Sequence, residues 1–271
     1  MRRGTKLNNR WTIGQKIGEG SCGEVYTAEE VDPDIGSLVI KICTIPKGKK
    51  TQSDRQQLKL LGTLDWERNL YLNRLREFKF SPALPLRCGY GSDHGYRYIV
   101  LQKLDFDLTK LVQGGLSLPR GEVSRIGKEL LLGLEMLHGL GLLFVDVKPD
   151  NFMVLQDRKT PSGPYRLLPA DGLYFVDFGL AAKYTICDGS VRPRTHTAGA
   201  VAGTPSFLSL DTLSGWSACR KDDLESLVRK SSFAHSPMFT PAGDYHRVWG
   251  LVGVPVAVSR WRRSTALGGR H

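Results

Sequence analysis

The stretch that most constrains this chain is Phe144-Val145-Asp146-Val147-Lys148-Pro149-Asp150-Asn151-Phe152. It places a carboxylate, a cation and a carboxamide on one short loop. Together those groups can orient a hydroxyl, neutralise a phosphate and hold a divalent metal. Farther along, Val176-Asp177-Phe178-Gly179 offers a second carboxylate as a further metal ligand. Either motif alone is weak. In this order, behind a glycine-rich turn and a strand lysine, they read as a phosphoryl-transfer site.

With 271 residues, 41% of them apolar, the chain can bury a core for one large domain or for two lobes around a cleft. No apolar run reaches the roughly 18 residues of a membrane span, and Met1-Arg2-Arg3-Gly4 leads into polar residues rather than an apolar secretory region. The expectation is an intracellular protein without a membrane partner; cytoplasm and nucleus are not distinguished, and the oligomeric state stays open. Five scattered cysteines without metal-ligand spacing fit a reducing compartment, with no zinc and no disulfide frame. The net charge of +11 raises nucleic acid as a partner. Much of the excess sits at the ends (Arg2, Arg3, Lys6, Arg10; Arg260, Arg262, Arg263, Arg270) and at Lys47, Lys49 and Lys50. No aromatic platform interleaves with these charges, so a solvated surface is favoured over nucleic-acid binding.

From Trp11 to Ile17 the chain alternates as a strand, breaks into Gly18-Glu19-Gly20-Ser21-Cys22-Gly23 and resumes at Val25-Tyr26. This is a hairpin flap, whose glycines are expected to let the backbone lie close over phosphates. A dinucleotide site would need a helix directly after the third glycine, and Val25-Tyr26-Thr27 is strand-like. Leu38-Val39-Ile40-Lys41-Ile42 reads as a buried strand whose lysine needs a carboxylate partner. Glu67 is the only glutamate between Lys41 and Arg76, on a helix expected to open at Thr63, with Leu64, Glu67, Tyr71 and Leu75 on one face. Residues 47 to 57 read as an exposed insertion. Tyr96 to Leu101 reads as a strand running into a hinge at Gln102-Lys103-Leu104, and residues 119 to 138 as a helix with an apolar stripe stopped by Gly139. Thr160-Pro161-Ser162-Gly163-Pro164 marks an inserted loop, and residues 180 to 203, without periodicity, a mobile segment near the substrate. Cys22 reads as neutral, His138 as a charge complement at a helix end, and His196 as a residue without a nameable partner.

Residues 11 to about 227 resemble a eukaryotic protein kinase of the casein-kinase-I group, closest in feel to the vaccinia-related kinases. The pointers are Val176-Asp177-Phe178-Gly179-Leu180-Ala181 leading to Lys183-Tyr184, then Gly203-Thr204-Pro205-Ser206-Phe207-Leu208-Ser209, then Arg220-Lys221-Asp222-Asp223-Leu224-Glu225-Ser226-Leu227. The resemblance implies an α+β, bilobal protein-kinase-like fold with a β-rich N-lobe and a helical C-lobe lacking its last helices. It divides the chain into a basic extension (1–10), an N-lobe (11–101), a partial C-lobe (102–230) and a poorly ordered tail (231–271). By the same resemblance, Asp146 orients the substrate hydroxyl and Lys148 touches the transferring phosphoryl group. Asn151 and Asp177 hold Mg2+. Lys41, paired with Glu67, holds the α- and β-phosphates of ATP under Gly18, Gly20 and Gly23, while Ile17, Val25 and Met153 sandwich the adenine. Asp223 braces the catalytic loop.

Phe144 and Val145 replace the usual histidine and arginine, and Val39 stands where an alanine is usual. Because a valine cannot receive a phosphate, activity is expected to be independent of phosphorylation at Thr195 or Thr197. After Leu227 the family's long apolar helix gives way to a tail with valine, glycine and proline at 248 to 258, which opposes a helix. The helix at 119 to 138 is therefore expected to be partly uncovered. Two functions follow: a serine/threonine kinase acting on protein, or a catalytically impaired fragment serving as a nucleotide-binding or scaffold module.

Overall fold

The computed structural model describes residues 1–20, 23–34, 36–48, 51–82, 89–113, 120–155, 172–199 and 201–229. The 160–164 insertion, Cys22 and the tail from 231 lie outside these residues.

Six strands form the first layer: β1 (Lys6–Leu7), β2 (Trp11–Gly20), β3 (Gly23–Asp32), β4 (Gly36–Thr44), β5 (Tyr90–Asp93) and β6 (Tyr96–Gln102). They pair antiparallel in the order β1-β2-β3-β4-β6-β5. Between β4 and β5 runs helix α1 (Gln52–Asn73), and after β6 the chain crosses into a mostly helical layer. There β7 (Phe106–Asp107) leads into α2 (Leu108–Gln113) and α3 (Arg120–Gly139), followed by β8 (Leu142–Leu143), β9 (Phe152–Val154), β10 (Leu173–Phe175), β11 (Ala182–Lys183), α4 (Leu210–Leu213) and α5 (Arg220–Arg229). This is an α+β fold with a β-rich first layer. No helix among the described residues is long and apolar enough to cross a membrane.

Two expectations change here. Helix α1 opens at Gln52 and not at Thr63, so much of the expected insertion is helix. Thr51 and Asp54 form a reciprocal capping box, while the Thr63 hydroxyl donates back to the Lys59 carbonyl (3.0 Å) in mid-helix. The basic extension is also part of the sheet. Leu7 has no exposed surface, packs in a cluster with Trp11, Ile13 and Tyr98, and its strand pairs with β2. Asn8 adds a bond from its Nδ2 to the Tyr98 hydroxyl (2.7 Å). The buried face expected for α1 is present at Leu64, Glu67 and Tyr71, and Leu75, just past the helix end, is buried with them, all at most 3% exposed.

Helix α3 presents Ile126, Leu130, Leu134 and Leu137 to a core shared with Phe144, Phe152, Leu173 and Phe175. On another face of the helix Met136 is exposed.

If β1 belongs to the folded unit, Leu7→Ala should destabilise it by about 2–5 kcal/mol, as for other buried leucines. Urea denaturation checks this; a change below about 0.5 kcal/mol, the size expected at an exposed site, would restore the free extension.

Candidate active site

Strand β4 carries Lys41 between Ile40 and Ile42, and the lysine is 6% exposed. An unpaired ammonium there would be costly. Its Nζ lies 2.7 Å from Glu67 Oε2, as the sequence leads one to expect, and 2.8 Å from Asp177 Oδ1. The other Glu67 oxygen accepts the Phe178 amide (3.2 Å), and the Tyr71 ring meets Phe178 edge-on at 5.6 Å. Helix α1 thus holds both the lysine and the backbone beside Asp177.

The loop 144–148 follows β8 and runs into a short turn at Pro149–Asn151. Pairing of Phe152 with Phe175, and donation from the Val176 amide to the Asn151 carbonyl (3.0 Å), bring the two motifs side by side. Asp146 is 4% exposed and fixed on both oxygens. Oδ1 accepts from the Thr204 amide (2.7 Å) and hydroxyl (2.8 Å); Oδ2 accepts from Asn151 Nδ2 (3.0 Å) and lies 2.7 Å from Lys148 Nζ. Lys148 also donates to the Thr204 hydroxyl (2.9 Å). Thr204 is a site residue that the motif spacing misses: it sits 58 positions from Asp146, in a string legible only as a family pointer. Gly203 makes room for this contact. Its φ is +100°, and a Cβ there would lie 2.8 Å from Leu208 Cδ2 and 3.4 Å from Asp146 Oδ1.

Most of these groups open onto one cleft of about 550 Å³; Asp146 does not line it and stands behind Lys148 and Thr204, to which it is bonded. Ile17, Gly18, Gly20, Val25, Lys41, Glu67, Lys148, Asn151, Met153 and Asp177 all line it; Val39, Leu101, Asp107 and Thr204 add to them. Gly23 is not among the lining residues. Its φ is +134°, and a Cβ would meet the Ile42 carbonyl oxygen at 2.2 Å, so the packing of β3 on β4 demands glycine here.

The sequence profile of the protein kinase domain matches residues 11–226. The chain belongs to the protein kinase family. A probable serine/threonine-protein kinase of Dictyostelium discoideum is 28% identical over 228 residues, covering 83% of this chain and 40% of that protein. A probable casein kinase I homolog of Encephalitozoon cuniculi is 30% identical over 225 residues, covering 80% of this chain and 59% of that protein. The chain therefore spans roughly half the length of these curated relatives.

The segment that follows Asp177 makes several side-chain contacts with residues 211 to 222. Arg194 bonds Asp211 (2.9 Å), Asp222 (3.1 Å) and the Ser217 carbonyl (3.0 Å), with its guanidinium 5.8 Å from the Trp216 ring centroid. The amides of Thr195 and Thr197 are held by Ser217 Oγ and the Gly215 carbonyl, both at 2.9 Å. His196 has a partner after all, the Ser214 carbonyl at 2.8 Å, and lies edge-on to Trp216. His138 lies in the last turn of α3 as expected, and it is buried there, 4% exposed, with Nε2 2.8 Å from Asp223 Oδ2.

The Arg194 clamp has a defined pH window. Hydrogen bonds from Arg194 and then Lys221 lower the Asp211 pKa below the ordinary range. For Asp222, burial pushes the pKa up, but bonds from Ser209 and Cys219 and the charge of Lys221 outweigh it and leave it lowered. A lowered carboxylate stabilises the fold above its unfolded pKa and loses that contribution as pH falls through its folded one. The clamp should thus hold from pH 8 to about pH 4 and fail below it. Limited proteolysis between residues 186 and 199 checks this: cleavage should be slow at pH 8 and at pH 5, and about tenfold faster at both in Arg194→Ala, since the lost bonds are charge-assisted. Equal rates in the two proteins would contradict it.

Proposed function

We propose that this chain is a protein serine/threonine kinase that transfers the γ-phosphate of ATP, bound with Mg2+, to a hydroxyl of a protein substrate. The observation that carries the reading is one cleft lined by Lys148 and Thr204, both bonded to the buried Asp146, and by Lys41 and Asp177, bonded to each other. The residues fit the nucleotide. Ile17, Val25, Val39, Leu101 and Met153 supply apolar walls for a planar base, and Lys41 supplies a cation for phosphates. At Gly20, a Cβ would stand 3.6 Å from Asp177 Oδ2, an ordinary contact, so the flap lies close over the carboxylate. The Asn151 Nδ2 is engaged by Asp146, which leaves its oxygen, with the Asp177 carboxylate, as the hard donors magnesium prefers.

Magnesium, when bound, would neutralise charge on the phosphate oxygens. Lys41 holds the nucleotide phosphates, and release of Asp177 from Lys41 frees that carboxylate for the metal. Asp146 aims the acceptor hydroxyl and takes its proton. Lys148, fixed by Asp146 and Thr204, meets the charge that develops on the moving phosphoryl group. Within the casein-kinase-I group, the strings at 203–209 and 220–227 support placement near the vaccinia-related kinases.

Purified chain with labelled ATP and a generic protein substrate tests the reading. Asp146→Asn should lower transfer by about two to four powers of ten, roughly 3–5 kcal/mol of barrier, with nucleotide affinity nearly unchanged. Asp177→Asn should weaken magnesium-dependent nucleotide binding as well. An unchanged rate in Asp146→Asn would refute the role assignment. Phosphatase treatment should leave activity intact, because the Arg194 clamp already holds the segment around Thr195 and Thr197; silencing by phosphatase would count against this.

A further inference from the structure

Three consecutive residues of α1 reach three different parts of the molecule. Asp65 pairs with Arg97 on β6. Glu67 meets Lys41 on β4 and the Phe178 amide beside Asp177. Between them, Trp66 sends its indole N–H 2.7 Å to the carbonyl oxygen of Ala181, 115 positions away. Ala181 itself is 5% exposed, and its own amide donates to the Phe178 carbonyl (3.0 Å). The next two residues form β11, which pairs with β8 at Leu143 and Leu142, directly before the catalytic loop. The Lys183 ammonium also stands 5.8 Å from the Trp66 ring centroid.

Successive residues on an α-helix point about 100° apart, so positions 65 to 67 grip their surroundings over more than half of its circumference. Glu67 alone would allow α1 to roll about its axis once the ion pair opened. With Trp66 engaged, that roll must also break a bond to Ala181, the residue directly before the strand that pairs with β8.

We propose that Trp66 is a positioning residue for phosphoryl transfer: its indole N–H locks the rotation of α1, which keeps Glu67 on Lys41 and on the Phe178 amide and so sets the direction of Asp177. This rests on the kinase reading above and deepens it. No proton or phosphate passes through Trp66; it acts through Glu67.

Amide hydrogen exchange of the nucleotide-free protein tests the lock apart from turnover. Trp66→Phe keeps a ring and removes the donor. The Phe178 amide should then exchange about tenfold faster, the upper end of what one hydrogen bond controls, while amides of β4 and β6 keep their protection. In assays, kcat should fall with KM for the protein substrate unchanged. Lys183→Ala should match wild type in both measurements, since the N–H and not the cation is the lock. Equal Phe178 protection in Trp66→Phe and wild type would overturn the proposal. So would a loss of protection spread evenly over β4 and β6, or a Lys183→Ala variant that reproduces the effect. If Trp66→Phe does not fold, Trp66→His, which keeps a ring N–H, should fold and protect Phe178; failure of both makes Trp66 a packing residue only and overturns the proposal. A wild-type chain that transfers no phosphate would refute the kinase reading, while the exchange contrast would still decide whether Trp66 locks α1.

Discussion

The carboxylate of Asp223 carries the active site from below. It is 1% exposed, on α5, and accepts the amides of Phe144 (2.9 Å) and Val145 (2.8 Å) while lying 2.8 Å from His138 Nε2. Val145 needs this support. Its φ of +71° is a left-handed conformation that a β-branched residue rarely adopts, costing about 1–3 kcal/mol. A buried carboxylate that receives two adjacent amides fixes the turn and offsets the strain. Asp146 follows directly, so its contacts with Thr204, Asn151 and Lys148 inherit their direction from that turn.

Above the brace, one aromatic cluster joins the parts that must move together. Phe144 stacks near Phe152 (5.8 Å) and meets Phe175 and Phe178 edge-on, both at 5.3 Å. Phe178 in turn touches Tyr71 of α1. A phenylalanine in place of the usual histidine keeps this contact wholly apolar, with edge-to-face pairs each contributing about 0.5–1.5 kcal/mol. The lysine between Glu67 and Asp177 closes the circuit from the other side. The loop at Phe144–Asn151, the turn at Asp177–Leu180 and α1 are therefore one packed unit, and the sheet is fastened to it through Lys41.

The parts legible in the sequence are those whose chemistry is contiguous or periodic. Asp146, Lys148 and Asn151 share one loop; Lys41 stands out because a lysine in an apolar strand demands a partner, and the 3.6-residue spacing turns Glu67 inward. The parts that sequence reasoning misses depend on contacts between distant positions. Nothing near Thr204 points to Asp146, nothing near Trp66 points to Ala181, and Arg194 looks like any loop arginine until Asp211 and Asp222 are folded beside it. The start of α1 is obscured by two threonines that could each cap a helix; the structure favours Thr51 because Asp54 completes a reciprocal pair. The strand contact that requires glycine at position 23 is equally invisible, because a glycine serving a close backbone approach and one clearing a phosphate look identical in sequence. Leu7, one apolar residue among charges, offers no periodicity by which a strand could be recognised.

The claim that a single buried carboxylate sets the catalytic loop is tested most directly by amide exchange at Phe144 and Val145 in wild type and in Asp223→Asn, whose amide group can no longer accept both backbone N–H groups. The account predicts slow exchange at both positions in wild type and a loss of about tenfold or more in the variant, with β4 unchanged. Equal protection of Phe144 and Val145 in the two proteins would show that the loop holds its conformation without Asp223 and would contradict the account.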